Sequence, residues 1–198
     1  MTIKNMLNKV IEKIYSKNDS FLYKTIYNYQ QLSPNIYAPV NFQYQTQGAS
    51  VETRLEYEYN NLGQLQIAIK DGFQCVIYLR NALSEPLAVI DMSEYSKVES
   101  MLGKAFIERL SKSYSVNNDD MKTLDNLRLS LPNALITTYT YKPLVGMTSM
   151  TDPRDVTTTY EYDAFGRLSK VKDANGKVIN TYDYHYQRPL LLTPIINP

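Results

Sequence analysis

The chain contains no tryptophan, one cysteine, one histidine and no surplus of either charge, and each shortage removes a class of function. A single cysteine, Cys75, excludes an intrachain disulfide, and with no Cys/His cluster there is no ligand set for structural zinc. Flanked by Gln74, Val76 and Ile77, Cys75 reads as a strand residue packed against its neighbours. A reactive thiol asks instead for an exposed, electropositive setting. The 21 basic and 20 acidic side chains are not bunched into long runs, so no basic stripe advertises nucleic acid. No apolar stretch approaches the length of a membrane span, and no membrane insertion is expected. Met1 to Tyr15 intersperses lysines with apolar residues and has no apolar h-region or small-residue cleavage site, so no secretory signal is expected there.

Chemistry is equally scarce. His185 alternates with Tyr184 and Tyr186 on a predicted strand, without a companion histidine or a nucleophile, so a strand-surface role outweighs general-base catalysis. Asp173-Ala174-Asn175-Gly176 has the look of a calcium loop but lacks an acidic ligand at the twelfth position, and reads as a turn. Glu56, Glu58 and Glu161 lie on strand faces near lysines, as solvated cross-strand ladders. No catalytic, cofactor or metal site is expected, and the chain is not read as an enzyme.

What the chain has is tyrosine, 18 of them. Tyr-x-Tyr recurs at five places, as Tyr27-Asn28-Tyr29, Tyr57-Glu58-Tyr59, Tyr139-Thr140-Tyr141, Tyr160-Glu161-Tyr162 and Tyr182-Asp183-Tyr184 (which runs on to Tyr186), the last three at steps of 21 and 22 residues. A period near twenty residues is too short for a domain and long enough for one hairpin, so it signals a stacked repeat. The skew toward tyrosine suits a pleated, half-buried face with wet hydroxyls.

Along the chain, Ile3, Met6, Leu7, Val10, Ile11, Ile14 and Tyr15 follow helical spacing, while Lys9–Tyr15, the turn formers 17–20 and Phe21–Tyr27 also read as a hairpin. The repeat context favours the hairpin. Residues 31–50, with Ser33-Pro34-Asn35, Pro39 and Gly48, read as a connection holding one short strand near Phe42 and Tyr44. Leu55, Tyr57 and Tyr59 share a strand face, Asn60-Asn61-Leu62-Gly63 is a tight turn, and Leu65, Ile67 and Ile69 resume alternation. Asp71-Gly72 predicts a two-residue hairpin leading into a strand over Phe73–Leu79.

Between 91 and 132 the period changes to helical. Ser93 is the expected N-cap of a first helix carrying Tyr95, Val98 and Leu102, and Phe106, Ile107 and Leu110 continue in a second. Asn117 and Asn118 cap a third, with the stripe Met121, Leu124, Leu127 and Leu131, ended by Pro132-Asn133. These apolar stripes are read as core. The expected organisation is thus hairpins with a degenerate repeat over 1–90, a helical insertion over 91–132, repeats over 133–187 and an extended tail over 188–198.

The run Tyr160-Glu161-Tyr162-Asp163-Ala164-Phe165-Gly166-Arg167-Leu168, followed by Asp173-Ala174-Asn175-Gly176, resembles the YD repeat of bacterial RHS (rearrangement hot spot) proteins, whose pattern is Tyr-x-Tyr-Asp-x-x-Gly-Arg-Leu and a downstream Asp-x-x-Gly turn. Tyr57 to Leu65 is a worn copy, with Asn60 and Gln64 in place of the aspartate and arginine and Gly63 retained. Pro132 to Met147, with Tyr139, Tyr141 and Gly146, is similar to a stretch that follows a helical insertion in large RHS-type proteins. The resemblance covers about residues 50–187. It implies a mainly β, α+β fold: a twisted antiparallel sheet of YD hairpins interrupted by two or three short helices. In this family such sheets curl into a shell that often encloses a toxin domain, in proteins that are secreted or act at cell surfaces. About five hairpins are too few to close one. The family's Asp- and Gly-rich self-cleavage motif is not seen, so the resemblance implies a piece or shortened relative of an RHS protein.

Two functional classes follow. In the first the chain is a non-enzymatic structural module whose sheet edges pair with further repeats or with another copy. In the second its tyrosine rows bind carbohydrate. Tyrosines packed on one another favour the first, and open rings along a groove favour the second.

Overall fold

The computed structural model describes residues 9–185. Residues 3–8 of the ambiguous N-terminal segment and the expected tail at 188–198 lie outside them. The described chain forms one antiparallel sheet of twelve strands in strictly sequential order, each strand paired with the one before it. The strands are β1 (Glu12–Lys17), β2 (Ser20–Ser33), β3 (Ile36–Thr46), β4 (Glu52–Tyr59), β5 (Leu65–Lys70), β6 (Gln74–Arg80), β7 (Pro86–Asp91), β8 (Leu135–Lys142), β9 (Gly146–Thr151), β10 (Thr157–Tyr162), β11 (Leu168–Lys172) and β12 (Val178–Thr181). Four helical segments, α1 (Tyr95–Leu102), α2 (Lys104–Lys112), α3 (Asn118–Asp125) and the single turn α4 (Leu127–Ser130), interrupt the sequence between β7 and β8 but not the sheet.

Local chemistry explains most hairpins. Asn18 and Asp19 both take positive φ, 50° and 62°, and close β1 onto β2, so the described part of the ambiguous segment is a hairpin. Asp71 and Gly72 do the same at 51° and 77°, but the ladder pairs Lys70 with Gln74. Phe73 therefore belongs to a three-residue turn, and the strand starts one residue later than the sequence suggests.

The largest departure lies in residues 31–50. In place of a connection with one short strand, β2 and β3 form a hairpin of 14 and 11 residues that turns at Pro34-Asn35. Polar side chains hold it together, Asn28 donating to Asn41 at 2.7 Å and to Gln43 at 3.1 Å. Aromatic pairs hold it as well, Tyr23 with Tyr44 at 5.5 Å and Tyr27 with Phe42 at 5.1 Å between ring centroids, and only the polar, proline-bearing middle reads as a connection. Pro39 is accommodated beside the register shift between Asn28 and Tyr29, where the ladder does not demand its missing N–H.

The helices cover one face of β6–β8. Ile77 and Leu79 of β6, Ala88 and Ile90 of β7 and Ile136 of β8 are buried against Val98, Leu110, Leu124 and Leu127. These are the apolar stripes expected to be core. Two details differ. The α1 N-cap is Glu94 rather than Ser93, with no side-chain cap bond. The third helix breaks at Asn126, where Arg128 turns back to the sheet and donates to the carbonyls of Ile136 and Thr151 at 3.2 and 3.0 Å. Asn117 caps α3 by accepting from the Asp120 N–H at 2.8 Å.

Candidate functional site

Five hairpin turns share one hydrogen-bond pattern, built on an Asp or Asn at the first position. In Asp163–Arg167 the Asp163 carboxylate accepts from the backbone N–H of Phe165 at 2.8 Å and of Arg167 at 3.0 Å. The Asp163 N–H donates to the Arg167 carbonyl and the Gly166 N–H to the Asp163 carbonyl. Asn60–Gln64, Asn81–Glu85, Asp152–Val156 and Asp173–Lys177 repeat all four bonds. The fourth residue always takes positive φ: Gly63 74°, Ser84 62°, Asp155 62°, Gly166 74° and Gly176 78°. A short side-chain oxygen that bonds its own chain two residues on is the device of an Asx turn.

In three of the turns the side chain of the last residue also bonds the first. Arg167 donates from Nε to the Asp163 carboxylate at 2.7 Å and holds it below the usual carboxylate range, aided by the two backbone donors. Its guanidinium also lies 4.3 Å from the Tyr184 ring centroid, so one repeat stacks on the next. In the worn copy Gln64 is buried and donates at 2.7 Å to the Asn81 carbonyl while accepting from Asn60.

The second tyrosine of the repeat reaches backwards. Tyr59 donates its hydroxyl to the Pro39 carbonyl at 2.7 Å, Tyr162 to Met147 at 2.7 Å and Tyr184 to Leu168 at 2.9 Å, each on the preceding strand. The register to the following strand shifts by one beside Tyr59 and Tyr162, while the latch reaches the strand on the other side. Gly146 begins β9 directly under Tyr162, and a Cβ there would lie 2.7 Å from the tyrosine oxygen. The left-handed residue of the β8–β9 turn is Leu144, φ 62°. Tyr141 departs from this pattern. It packs against the helical core, and burial together with Glu85 and Tyr139 pushes its hydroxyl up to about 12.

The first tyrosines lie on the face away from the helices. Strand register carries the row from Tyr27 through Phe42 to Leu55, from Tyr57 through Ala68 to Val76, and from Tyr78 through Val89 to Thr137. It continues from Tyr139 through Met150 to Thr158, and from Tyr160 to Val171. The tyrosines in it are half-buried. Burial raises the hydroxyls of Tyr57, Tyr59, Tyr139 and Tyr162, with neighbouring tyrosines adding to each.

The structure thus places Asp163, Gly166, Arg167, Asp173 and Gly176 in Asx turns, with Gly63 in the turn of the worn copy. It places Tyr57, Tyr139 and Tyr160 in the row, and Leu168 both pairs with Tyr162 and accepts from Tyr184. Sequence reasoning missed the turn at Asn81, which lacks the glycine, and the latching role of Tyr184. An Asx residue between two alternating runs is the signal that marks Asn81. Among the described residues no three His, Cys, Asp or Glu side chains converge as for a metal ion, and His185 is exposed.

Comparison with known proteins gives one family match, the RHS Repeat, over residues 146–178. That span holds β9 to the start of β12, with three Asx turns closed by Asp152, Asp163 and Asp173. Among curated proteins the chain is 25% identical over 134 residues to a cysteine–tRNA ligase of Borrelia turicatae, covering 60% of this chain and 27% of that protein. Among solved structures it is similar to a crystal structure of TcdB2-TccC3-Cdc42 at TM-score 0.46 and 10% identity, over 84% of this chain and 9% of that one. It is likewise similar to the Photorhabdus luminescens Tc holotoxin pore with a TccC3 mutation, at TM-score 0.45 and 11% identity, again over 84% and 9%. The chain therefore spans about a quarter of the curated relative and under a tenth of the structural ones.

Proposed function

We propose that this RHS-repeat chain is a non-enzymatic length of wall, a run of YD hairpins that forms part of a β-sheet shell or scaffold in a larger toxin-delivery protein. One observation carries the reading: the repeated residues are satisfied inside the sheet. The Asx oxygens hold their own turns, and the second tyrosines bond the preceding strand. Each hairpin is fastened to the one before it, so the array lengthens by adding units without a change of plan. Strands β1 and β12 have no further partner among the described residues, and their unpaired backbone groups are where neighbouring repeats join.

The carbohydrate reading needs tyrosine rings standing open along a groove. The half-buried row, with Ala68, Val76, Val89 and Met150 between its tyrosines, favours packing instead.

Duplication tests the proposal. A second copy of residues 160–181 inserted after Thr181 keeps the 22-residue step from Tyr160 to Tyr182 in phase. The expected result is two more protected strands by amide hydrogen exchange and a midpoint of unfolding at or above that of the parent. An inserted unit that exchanges at the rate of unstructured chain would overturn the reading of this chain as an extendable wall.

A further inference from the structure

In a sequential antiparallel sheet the turns alternate between two rims, and here the rims differ. The turns joining β4–β5, β6–β7 and β10–β11 lie on one rim, and those joining β9–β10 and β11–β12 lie on the other. All five are Asx turns, so their third residues are equivalent. On the first rim that residue is Leu62, Leu83 or Phe165, each exposed; on the second it is Arg154 or Asn175. The turn closes through the N–H of this residue, and its hydrogen bonds place no demand for an apolar side chain at Leu62, Leu83 or Phe165. The Phe165 ring also meets the Arg167 guanidinium at 5.1 Å. The β8–β9 turn adds Leu144 to that rim, 96% exposed and beside the Gly166 turn, which it meets through Val145.

The second rim carries the complementary shape. Phe73, Met92 and Leu135 line an open cavity of about 680 Å³ together with Cys75, Asp91, Glu94 and Lys97. Phe73 is 82% and Met92 65% exposed, large values for apolar groups so close together. Three carboxylates, Glu58, Asp91 and Glu94, act on Cys75, whose thiol is pushed up chiefly by burial. The thiolate is thus disfavoured, and the cleft around it is acidic. Lys97 offsets Glu94 at 3.0 Å and leaves Asp91 without a cation. On the opposite rim Lys142, two residues before Leu144, makes no ion pair among the described residues.

We propose that copies of this chain dock head to tail, the Leu144 and Phe165 tips of one seating in the Phe73–Met92–Leu135 cleft of the next, with Lys142 against its acidic margin. Strand β8 starts at Leu135 in the cleft and ends at Lys142 beside the tip, so the two halves sit at opposite ends of one strand. A shift along the strand direction then brings tip to cleft. The contact is heterologous and leaves a free half at each end, so it builds chains rather than closed dimers. It is independent of edge pairing through β1 and β12, and goes beyond the wall reading.

The experiment uses Phe73→Asp and Leu144→Asp, both at exposed turn positions, with unchanged circular dichroism and melting temperature as the folding control. Sedimentation velocity of the parent is expected to shift to larger species with rising concentration, and each variant alone to stay monomeric. An equimolar mixture pairs the intact cleft of one with the intact tip of the other, and is expected to give a two-chain species and nothing larger. Lys142→Glu is expected to weaken association, and Asp91→Lys in a partner to restore it. A parent that is monomeric throughout overturns the proposal. So do variants that associate like the parent, which would assign assembly to the sheet edges, and a mixture that stays monomeric.

Discussion

At the scale of single residues, the repeat is a set of atoms that must be present in one place rather than a set of residue types. Asn60, Asn81, Asp152, Asp163 and Asp173 close the same turn because each offers one oxygen at the same reach. Ser84 and Asp155 hold the left-handed position that glycine holds in the other three turns, with the strain other residues carry there. Gly146 is different, because besides a φ of 148° that side chains rarely adopt it needs room. A methyl group there meets the Tyr162 oxygen at 2.7 Å and the ring carbon behind it at 3.1 Å. Gly146→Ala is expected to destabilise by about 1–3 kcal/mol, the usual range for overpacking. In a Tyr162→Phe background the clash with oxygen is gone, and the same substitution is expected to cost less. Chemical denaturation of the four proteins in this cycle measures the coupling. Additive costs would show that tyrosine and glycine do not share the site.

At the scale of elements, legibility in the sequence followed how local the cause was. The hairpin at Asn18-Asp19, the turn at Asp163 and the helical stripe of Met121, Leu124 and Leu127 were readable, since each rests on neighbours in sequence. The long β2–β3 hairpin was not, because its cross-strand bonds between Asn28, Asn41 and Gln43 join polar residues more than ten positions apart. The break at Asn126 was also hidden, since Arg128 leaves the helix for carbonyls on β8 and β9. The latches of Tyr59, Tyr162 and Tyr184 needed the register, because periodicity shows that a tyrosine recurs but not which carbonyl it meets. The helices also set where the stability lies. Leu124 is fully buried between them and the sheet, and Leu124→Ala is expected to cost about 2–5 kcal/mol by lost burial and cavity. Hydrogen exchange on that variant is expected to lower protection most in β6–β8, where the helices pack, and least in β12, whose residues are all exposed. A uniform loss over all twelve strands would mean that the array unfolds as one unit rather than regionally.

At the scale of the whole molecule, the tyrosine content makes stability depend on alkaline pH. Six hydroxyls, of Tyr57, Tyr59, Tyr95, Tyr139, Tyr141 and Tyr162, are raised by burial above the ordinary value of 10.0. A folded state that holds these protons more tightly than the unfolded chain is stabilised fully below pH 10. It loses that stability as the pH climbs through the folded values, to about 12 for Tyr141. The melting temperature is therefore expected to fall across that window, with phenolate absorbance rising in step with the loss of sheet signal. Tyr141→Phe keeps the ring and removes the most strongly shifted proton, so its decline above pH 10 is expected to be shallower than the parent's. The opposite behaviour, a variant that falls as steeply as the parent, would move the alkaline sensitivity from Tyr141 to the tyrosine row. The difference matters for the sheet, because the row runs from β2 to β10 across it, whereas Tyr141 packs against the helical core.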